Sequence, residues 1–157
     1  MPTAALWPHG AGVQQPAVRL KVATAADAAR LAELYSASGS RLSVEDAQAW
    51  LVKGGALIVE RERGPVLAAV RWRPEPGGWS VERVTTRPEE RGNGYGRWLM
   101  TKLEALAIRG NVPSLTLELE EPELLPYYQR MGYRSEPATP LRLSKRVGGV
   151  WQRQVGP

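Results

Sequence analysis

The segment spanning residues 91–99 places the tightest constraint on how this chain folds. Glycine occupies every second position from Gly92 to Gly96, between a run with strand-like alternation and a run with helical spacing. Glycine accepts positive φ and has no Cβ, so such a loop brings its backbone close to a bound group. Where the loop opens a helix, free N–H groups and the helix dipole favour an anion. The sequence therefore predicts a phosphate-binding loop at a strand–helix junction.

Two familiar phosphate-binding loops do not fit this segment. A Walker loop has Lys followed by Ser or Thr after its last glycine, whereas Gly96 is followed by an Arg-Trp pair. A dinucleotide fingerprint has a further glycine at the position of Leu99. The pattern that remains is Arg-x-x-Gly-x-Gly, formed by Arg91, Gly94 and Gly96. A glycine turn that only caps a helix is the structural alternative.

This pattern, together with residues 84–90 before it, resembles the acyl-CoA signature of the GNAT superfamily of N-acyltransferases. A second segment, residues 127–133 with the sequence Tyr-Tyr-Gln-Arg-Met-Gly-Tyr, is similar to the family's aromatic-Tyr-x-x-x-Gly-aromatic motif. In that motif a helix carries the catalytic tyrosine, and the glycine turns the chain into the next strand. The motifs occur in the family's order and at about its spacing, and the resemblance covers about residues 18–147.

The composition excludes several kinds of chemistry. The 157 residues fit one domain with a core of its own. The sequence contains no cysteine, which excludes a disulfide framework, a zinc-thiolate site and a cysteine acyl-enzyme. Its only histidine is His9, so neither a Ser-His-Asp triad nor a multi-histidine metal site is expected, and no metal is predicted.

The charge and hydropathy patterns indicate where the protein acts. The net charge of +5 is scattered along the chain without a basic run, so nucleic acid is not favoured as a partner. Residues 1–18 lack the basic and apolar regions of a signal peptide, and no apolar stretch is long enough to span a membrane. We therefore expect a cytoplasmic protein without a membrane partner.

The apolar periodicity predicts a single domain at residues 18–147, between a flexible N-terminal arm at residues 1–17 and a C-terminal tail at residues 148–157. The resemblance implies that this domain is a GNAT acyltransferase domain. We expect helices at residues 24–39, 43–54, 96–109 and 123–131. We expect strands at residues 18–22, 56–62, 65–73, 79–86, 114–120, 133–135 and 141–146. The fold class is α/β (α+β): a mixed, mostly antiparallel sheet of six to seven strands flanked by about four helices, in the family's order.

The resemblance implies acetyl-CoA as cosubstrate. Backbone N–H groups of residues 91–97 would hold its pyrophosphate, and its pantetheine would pair with residues 84–86 like an additional strand. The two strands at residues 79–86 and 114–120 would separate around the thioester, where a backbone N–H polarises the acyl carbonyl. The expected cofactor-binding residues are Val84, Thr85, Thr86, Arg91, Gly92, Asn93, Gly94, Tyr95, Gly96 and Arg97.

Without a cysteine, the simplest reaction is direct attack of an amine on the thioester, which requires a proton for the departing thiolate. A phenol with an ordinary pKa of about 10 keeps its proton at neutral pH, above the value of about 8.5 for a thiol. Tyr128 occupies the motif's tyrosine position and is the expected general acid. Tyr127 occupies the hydrophobic position and is expected to pack. The alternative is that both are only core aromatics.

Glu82 is the candidate general base. The two-residue period places it on the same face of its strand as Val84 and Thr86. A water chain in place of Glu82, with the carboxylate merely solvated, is the alternative.

Glu118 and Glu120 are the candidate acceptor-binding residues. They alternate with leucines near the expected gap and would attract a cationic amine, unless they simply form an exposed face. One departure concerns the residues after this strand, where family members often have Asn and this chain has Glu121 and Pro122.

The resemblance therefore implies an N-acetyltransferase that transfers an acetyl or acyl group from acetyl-CoA to a primary amine. Two alternatives stay open: a non-catalytic acyl-CoA-binding sensor on the same fold, and an acyltransferase associated with RNA or the ribosome. The acceptor amine and the formation of a homodimer are not determined by the sequence.

Overall fold

The computed structural model describes residues 17–82 and 84–148. Four helices are present in this part: α1 (Ala28–Ala37), α2 (Val44–Lys53), α3 (Tyr95–Arg109) and α4 (Leu125–Arg130). The strands are β1 (Val18–Val22), β2 (Gly55–Arg61), β3 (Val66–Glu75), β4 (Gly78–Val81), β5 (Thr85–Thr86), β6 (Ser114–Glu118), β7 (Arg134–Glu136) and β8 (Thr139–Arg146). The predicted arm and tail lie outside the described residues except for residues 17 and 148, and the domain boundaries stay predictions.

The strands form one eight-stranded sheet in the order β1-β2-β3-β4-β6-β8-β7, with β5 paired to β3. Every pair is antiparallel except β4 with β6, which is parallel from Trp79↔Leu115 to Val81↔Leu117. The crossover between these two strands is α3, as a parallel connection requires. The predicted mixed, mostly antiparallel sheet with four helices is confirmed, with one strand more because the predicted strand 79–86 is divided into β4 and β5.

A β-bulge divides that strand. The N–H of Glu82 donates to the carbonyl of Arg71 at 2.8 Å, and β5 resumes pairing where Thr85 lies opposite Ala69. One residue separates the two partners on β3, whereas two residues separate Glu82 from Thr85. An extra residue on one strand bends it and interrupts the ladder. The bulge therefore turns the chain away from β6 at the point where β4 ends.

The sheet separates two apolar cores. On one face α3 buries Leu99, Met100, Leu103 and Ala107, which recur at helical spacing, against β2 and β3. On the other face α1 and α2 pack over Ile58 and its neighbours. Because both faces are covered, residues 56–60 of β2 are all buried. The N-terminus of α3 therefore lies on one side of the sheet, and the helices α1 and α2 lie on the other.

Candidate active site

A cleft of about 350 Å³ opens where β4 and β6 stop pairing. The last paired residues are Val81 and Leu117, and both line the cleft. The strands β4 and β6 separate because the bulge leads the chain from β4 into β5, which pairs with β3, while β6 continues beside β8. The cleft brings together eight of the predicted site residues: Glu82, Val84, Thr85, Thr86, Arg91, Glu118, Glu120 and Tyr128.

The glycine loop presents a free helix N-terminus beside this cleft. Gly92 and Gly94 have φ of +88° and +78°, values that only glycine adopts without strain, and Gly94 is the N-cap of α3. The amide of Asn93 donates to the carbonyl of Glu90 at 2.8 Å and holds the turn. No side chain caps the helix within the described residues, so the first-turn amides of residues 95–97 have no acceptor from the helix itself. Added Cβ atoms at Gly92 and Gly94 would meet nothing within 4 Å, so the space before the loop is open to an anion.

Two ion pairs fix the short 3-10 turn that precedes the loop. Arg87, which is only 8% exposed, donates to the carbonyl of Val66 and to Glu33. The hydrogen bond to Glu33 raises the pKa of the Arg87 guanidinium, with burial opposing it. Glu90 accepts from Arg61 through both carboxylate oxygens, at 3.1 and 3.0 Å. Sequence analysis missed this support, since its partners come from distant segments that share no periodicity.

Tyr128 has the protonation state that a proton donor requires. Its side chain on α4 is 6% exposed, and the rings of Tyr127 and Tyr133 meet it edge-on at centroid distances of 5.0 and 5.8 Å. Burial, with a smaller contribution from Tyr127, raises the pKa of Tyr128 to about 12. The phenol therefore keeps its proton through the neutral and moderately alkaline range. Tyr127 is less buried and packs against the core under α3, as the motif predicts.

The hydroxyl of Tyr128 makes no hydrogen bond within the described part of the chain. The Tyr128 hydroxyl is nevertheless not fully buried. The fully buried side-chain polar atoms without partners in that part of the chain are Tyr35 Oη and Arg71 Nε, and Tyr128 Oη is not one of them. Tyr128 is one of the residues that line the cleft, so a molecule bound there would contact a side chain whose phenol is protonated.

The bulge corrects the predicted orientation of Glu82. Residues directly opposite on paired strands share a face, so Glu82 shares a face with Arg71 and with Thr85. Thr86 pairs one residue further along and faces the other core, where Val84 also packs. The prediction that Glu82 shares a face with Val84 and Thr86 is therefore wrong, because the two-residue period shifts by one at the bulge. The Glu82 side chain is 47% exposed, and it lines the cleft from the side of α1 and α2.

Glu118 is a less isolated charge than the sequence indicates. Its Oε1 accepts a hydrogen bond from Arg142 Nη1 at 2.9 Å, and its side chain is 72% exposed. Arg142 also contacts Glu136 at 3.1 Å and Glu75 at 4.0 Å, and these carboxylates raise the pKa of the guanidinium, Glu118 first. Glu120 is exposed at the rim of the same cleft. The rim is acidic, although Arg142 offsets part of the charge of Glu118.

Comparison with known proteins identifies the family. Residues 53–135 match the model of the acetyltransferase (GNAT) domain. The chain belongs to the GNAT acetyltransferase family. This confirms the family inferred from the glycine loop and the tyrosine motif. No curated protein matches the sequence of this chain.

Solved structures similar to this GNAT domain share its fold at low sequence identity. The PaiA N-acetyltransferase of Thermoplasma acidophilum, in complex with coenzyme A, is 13% identical with a TM-score of 0.69, over 83% of this chain and 99% of the other. The ribosomal-protein-S18-alanine N-acetyltransferase of Escherichia coli is 11% identical with a TM-score of 0.69, over 83% and 94%. A GNAT family acetyltransferase of Brucella melitensis, in complex with acetyl-CoA, is 18% identical with a TM-score of 0.67, over 85% and 90%.

The described residues of the GNAT domain lack both a cluster of metal-ligating side chains and a helix suited to a membrane. Residues 17–82 and 84–148 contain no group of three or more His, Cys, Asp or Glu side chains that could hold a metal ion. Within the same ranges, no helix is both long and apolar enough to cross a membrane.

Proposed function

We propose that this GNAT domain is an acetyl-CoA-dependent N-acetyltransferase that acetylates a primary amine by direct attack on the thioester. The observation that carries the proposal is the cleft between β4 and β6. Glu82, which follows β4, lines this cleft, and so does the buried, protonated Tyr128 on α4. A carboxylate and a protonated phenol beside one gap are the pair of groups that proton transfer from an amine to a thiolate requires. The sequence has no cysteine to form an acyl-enzyme, which favours a single displacement.

The acetyl donor would bind along the bulged strand. Its pyrophosphate would accept hydrogen bonds from the backbone of residues 91–97 at the N-terminus of α3. Its pantetheine would follow residues 84–86, with the acyl carbonyl polarised by a backbone N–H near Val84 or Thr86. The open space before Gly92 and Gly94 supports this placement, as do the two solved relatives that hold coenzyme A or acetyl-CoA.

The reaction would take two protons from the acceptor nitrogen and place one on the sulfur. Glu82 would take the first proton from the acceptor ammonium, so that the neutral nitrogen forms the C–N bond. As the C–S bond breaks, the Tyr128 hydroxyl would donate its proton to the departing thiolate, and the second proton of the nitrogen would restore the Tyr128 phenolate to a phenol. The raised pKa of Tyr128 supports this order, since the phenol stays protonated until negative charge develops on the sulfur.

Glu118 and Glu120 would attract the ammonium group before reaction. Their position at the cleft rim supports the assignment. Because Arg142 offsets part of the charge of Glu118, we expect these two carboxylates to raise the affinity for the acceptor only modestly. We expect them to leave the chemical step unchanged.

The test measures the turnover of acetyl-CoA with a panel of amines, and the release of free thiol is the signal that is monitored. We expect thiol release that depends on both substrates, and a Gly96→Val variant that neither binds acetyl-CoA nor turns over serves as the control. Acetyl-CoA binding without turnover of any amine would overturn the proposal in favour of a sensor. Salt-dependent binding of RNA, with turnover only in its presence, would favour the ribosome-associated alternative.

A further inference from the structure

A hydrogen-bonded group of side chains joins three parts of the fold next to Tyr128. The hydroxyl of Tyr133, which follows α4, donates to Glu104 Oε2 on α3 at 3.0 Å. Lys145 Nζ on β8 donates to Glu104 Oε1 at 2.8 Å and to the carbonyl of Met131 at 2.7 Å. Glu104, Tyr133 and Lys145, together the α4 anchor, tie the end of α4 to α3 and to β8.

The α4 anchor is largely shielded from water. Tyr133 is 1% exposed, and the side chains of Glu104 and Lys145 are 15% and 27% exposed. Burial, followed by the charge of Glu104, raises the pKa of the Tyr133 hydroxyl, so this phenol stays a donor to the carboxylate. Hydrogen bonds to a charged group are stronger than neutral ones, and they gain further strength away from water. The three side chains are therefore held in one geometry.

Tyr128 is connected to the α4 anchor through its ring and through its backbone. The Tyr133 ring meets the Tyr128 ring edge-on, with 5.8 Å between the centroids. The carbonyl of Tyr128 accepts hydrogen bonds from the N–H groups of Met131 and Tyr133 at 3.0 and 3.1 Å. Met131 is also the residue whose carbonyl Lys145 holds. A displacement of the α4 anchor would therefore displace Tyr128 with it.

The helix α4 is too short to fix the direction of the Tyr128 side chain by itself. It has six residues, and an isolated helix of that length is unstable in water. Apolar packing favours burial of the ring, but it is non-directional and does not select one position for the hydroxyl. Hydrogen bonds are directional, and those that hold the end of α4 come from the α4 anchor.

The helix α3 connects the α4 anchor to the rest of the proposed site. This helix packs against β2 and β3, and its N-terminus follows the glycine loop. Glu104 therefore links Tyr128 to the helix that would bind the pyrophosphate of the donor. It also links Tyr128 to β3, the strand to which the N–H of Glu82 donates. Lys145 lies on β8, beyond β6 in the sheet, so the α4 anchor spans the gap in which the thioester would lie.

We propose that Glu104, Tyr133 and Lys145 are positioning residues for Tyr128; this inference rests on the function proposed above. None of the three lines the cleft, so they act through Tyr128 rather than on a substrate. Their role is to hold the Tyr128 hydroxyl where the thiolate forms. A misplacement of about 1 Å can lower a rate ~100-fold. Loss of the α4 anchor should therefore lower kcat and leave the binding of both substrates close to wild type.

The test combines a variant of the α4 anchor with Tyr128→Phe in a double-mutant cycle. Lys145→Met removes both hydrogen bonds of Nζ, and we expect kcat to fall ~10-fold or more while KM for acetyl-CoA and for the amine changes less than about twofold. In the Tyr128→Phe background the same replacement should change kcat less than about twofold, since no general acid remains to be misplaced. Lys102→Met is the matched control, because it deletes the same side chain from an exposed position on α3.

Two outcomes of the cycle would overturn the inference and leave the acetyltransferase proposal intact. One is an unchanged kcat in Lys145→Met. The other is an equal loss of kcat with and without the Tyr128 hydroxyl, which would identify a general loss of stability. Normal turnover by Tyr128→Phe would instead remove the general acid from the proposed function, and the inference with it.

A second variant and a second measurement complete the test. If Lys145→Met fails to fold, Tyr133→Phe removes only the hydroxyl that bonds Glu104 and should lower kcat to a smaller extent, again only when the Tyr128 hydroxyl is present. Amide hydrogen exchange needs no turnover, and residues 125–131 should exchange faster in either variant while α2 stays unchanged. Faster exchange supports the anchoring of α4 even if no amine is acetylated. Unchanged exchange in residues 125–131 overturns the inference whatever the activity.

Discussion

Replacing Tyr128 by Phe removes a single heavy atom, the hydroxyl oxygen, and so tests whether Tyr128 is the general acid. The ring keeps its edge-on contacts with Tyr127 and Tyr133, at centroid distances of 5.0 and 5.8 Å, and only the hydroxyl is lost. That hydroxyl makes no hydrogen bond within residues 17–82 and 84–148, so the folded protein loses none there. The free energy of unfolding should therefore change by less than about 1 kcal/mol.

The effect on catalysis should be much larger than the effect on folding. Loss of a general acid lowers the rate by ~10²-fold or more, and a hundredfold loss corresponds to about 2.7 kcal/mol of barrier. Since Tyr128 would act on the sulfur only as the C–S bond breaks, kcat should fall while KM for acetyl-CoA stays close to wild type. The raised pKa adds a second expectation: wild-type kcat should show no alkaline limb from Tyr128 below about pH 10, because its pKa is about 12.

Steady-state thiol release, with denaturant unfolding measured on the same samples, checks both magnitudes. Tyr127→Phe is the control, because it removes the same atom one position away on the same helix and should leave kcat nearly unchanged. Equal losses in the two variants would refute the assignment, as would normal turnover by Tyr128→Phe with the best acceptor. In either case water must protonate the thiolate.

Three further predictions follow from the loop, the rim and the buried phenol. Gly96→Val should fold, because its added Cβ meets only a Val side chain at 3.5 Å, and calorimetry should show that it no longer binds acetyl-CoA. Gly94→Val should also lose stability, because its backbone at φ +78° is strained for any residue with a Cβ. Unchanged acetyl-CoA affinity in folded Gly96→Val would contradict the role of the loop. Replacing Glu118 and Glu120 together by Gln should raise KM for the acceptor amine in low salt and leave acetyl-CoA affinity unaltered, and an unchanged amine KM would identify a solvated surface. Because the fold raises the pKa of Tyr128 above its ordinary value of about 10, its contribution to stability is present below pH 10 and lost towards about pH 12; denaturant unfolding should show wild type losing up to about 2 kcal/mol relative to Tyr128→Phe over that range.

The local patterns in the sequence were sufficient for the order of elements and for the loop. Gly92 and Gly94 do adopt left-handed backbone, and Tyr128 is buried beside a cleft that Glu82 also lines. These features follow from short-range chemistry, namely the freedom of glycine and the spacing of apolar residues. The predicted roles of these residues in binding and catalysis stay predictions that the variants above address.

The features that sequence analysis missed depend on pairing between distant segments. The bulge after Glu82 is a mismatch of register between two strands, and neither strand alone carries a signal for it. The burial of Arg87 depends on acceptors supplied by α1 and β3. The α4 anchor joins Glu104, Tyr133 and Lys145, which lie in three segments with no shared periodicity.

The three-residue parallel ladder between β4 and β6 makes the sheet two antiparallel halves joined by a narrow seam. Glu82 belongs to one half and Tyr128 to the other, so the spacing of the two proposed proton-handling groups depends on how tightly residues 79–81 hold the seam closed. Gly78 sits at its closed end, where an added Cβ would lie 2.1 Å from the carbonyl oxygen of Ser114. A side chain there would wedge the halves apart from behind and misalign the reacting groups without touching either substrate.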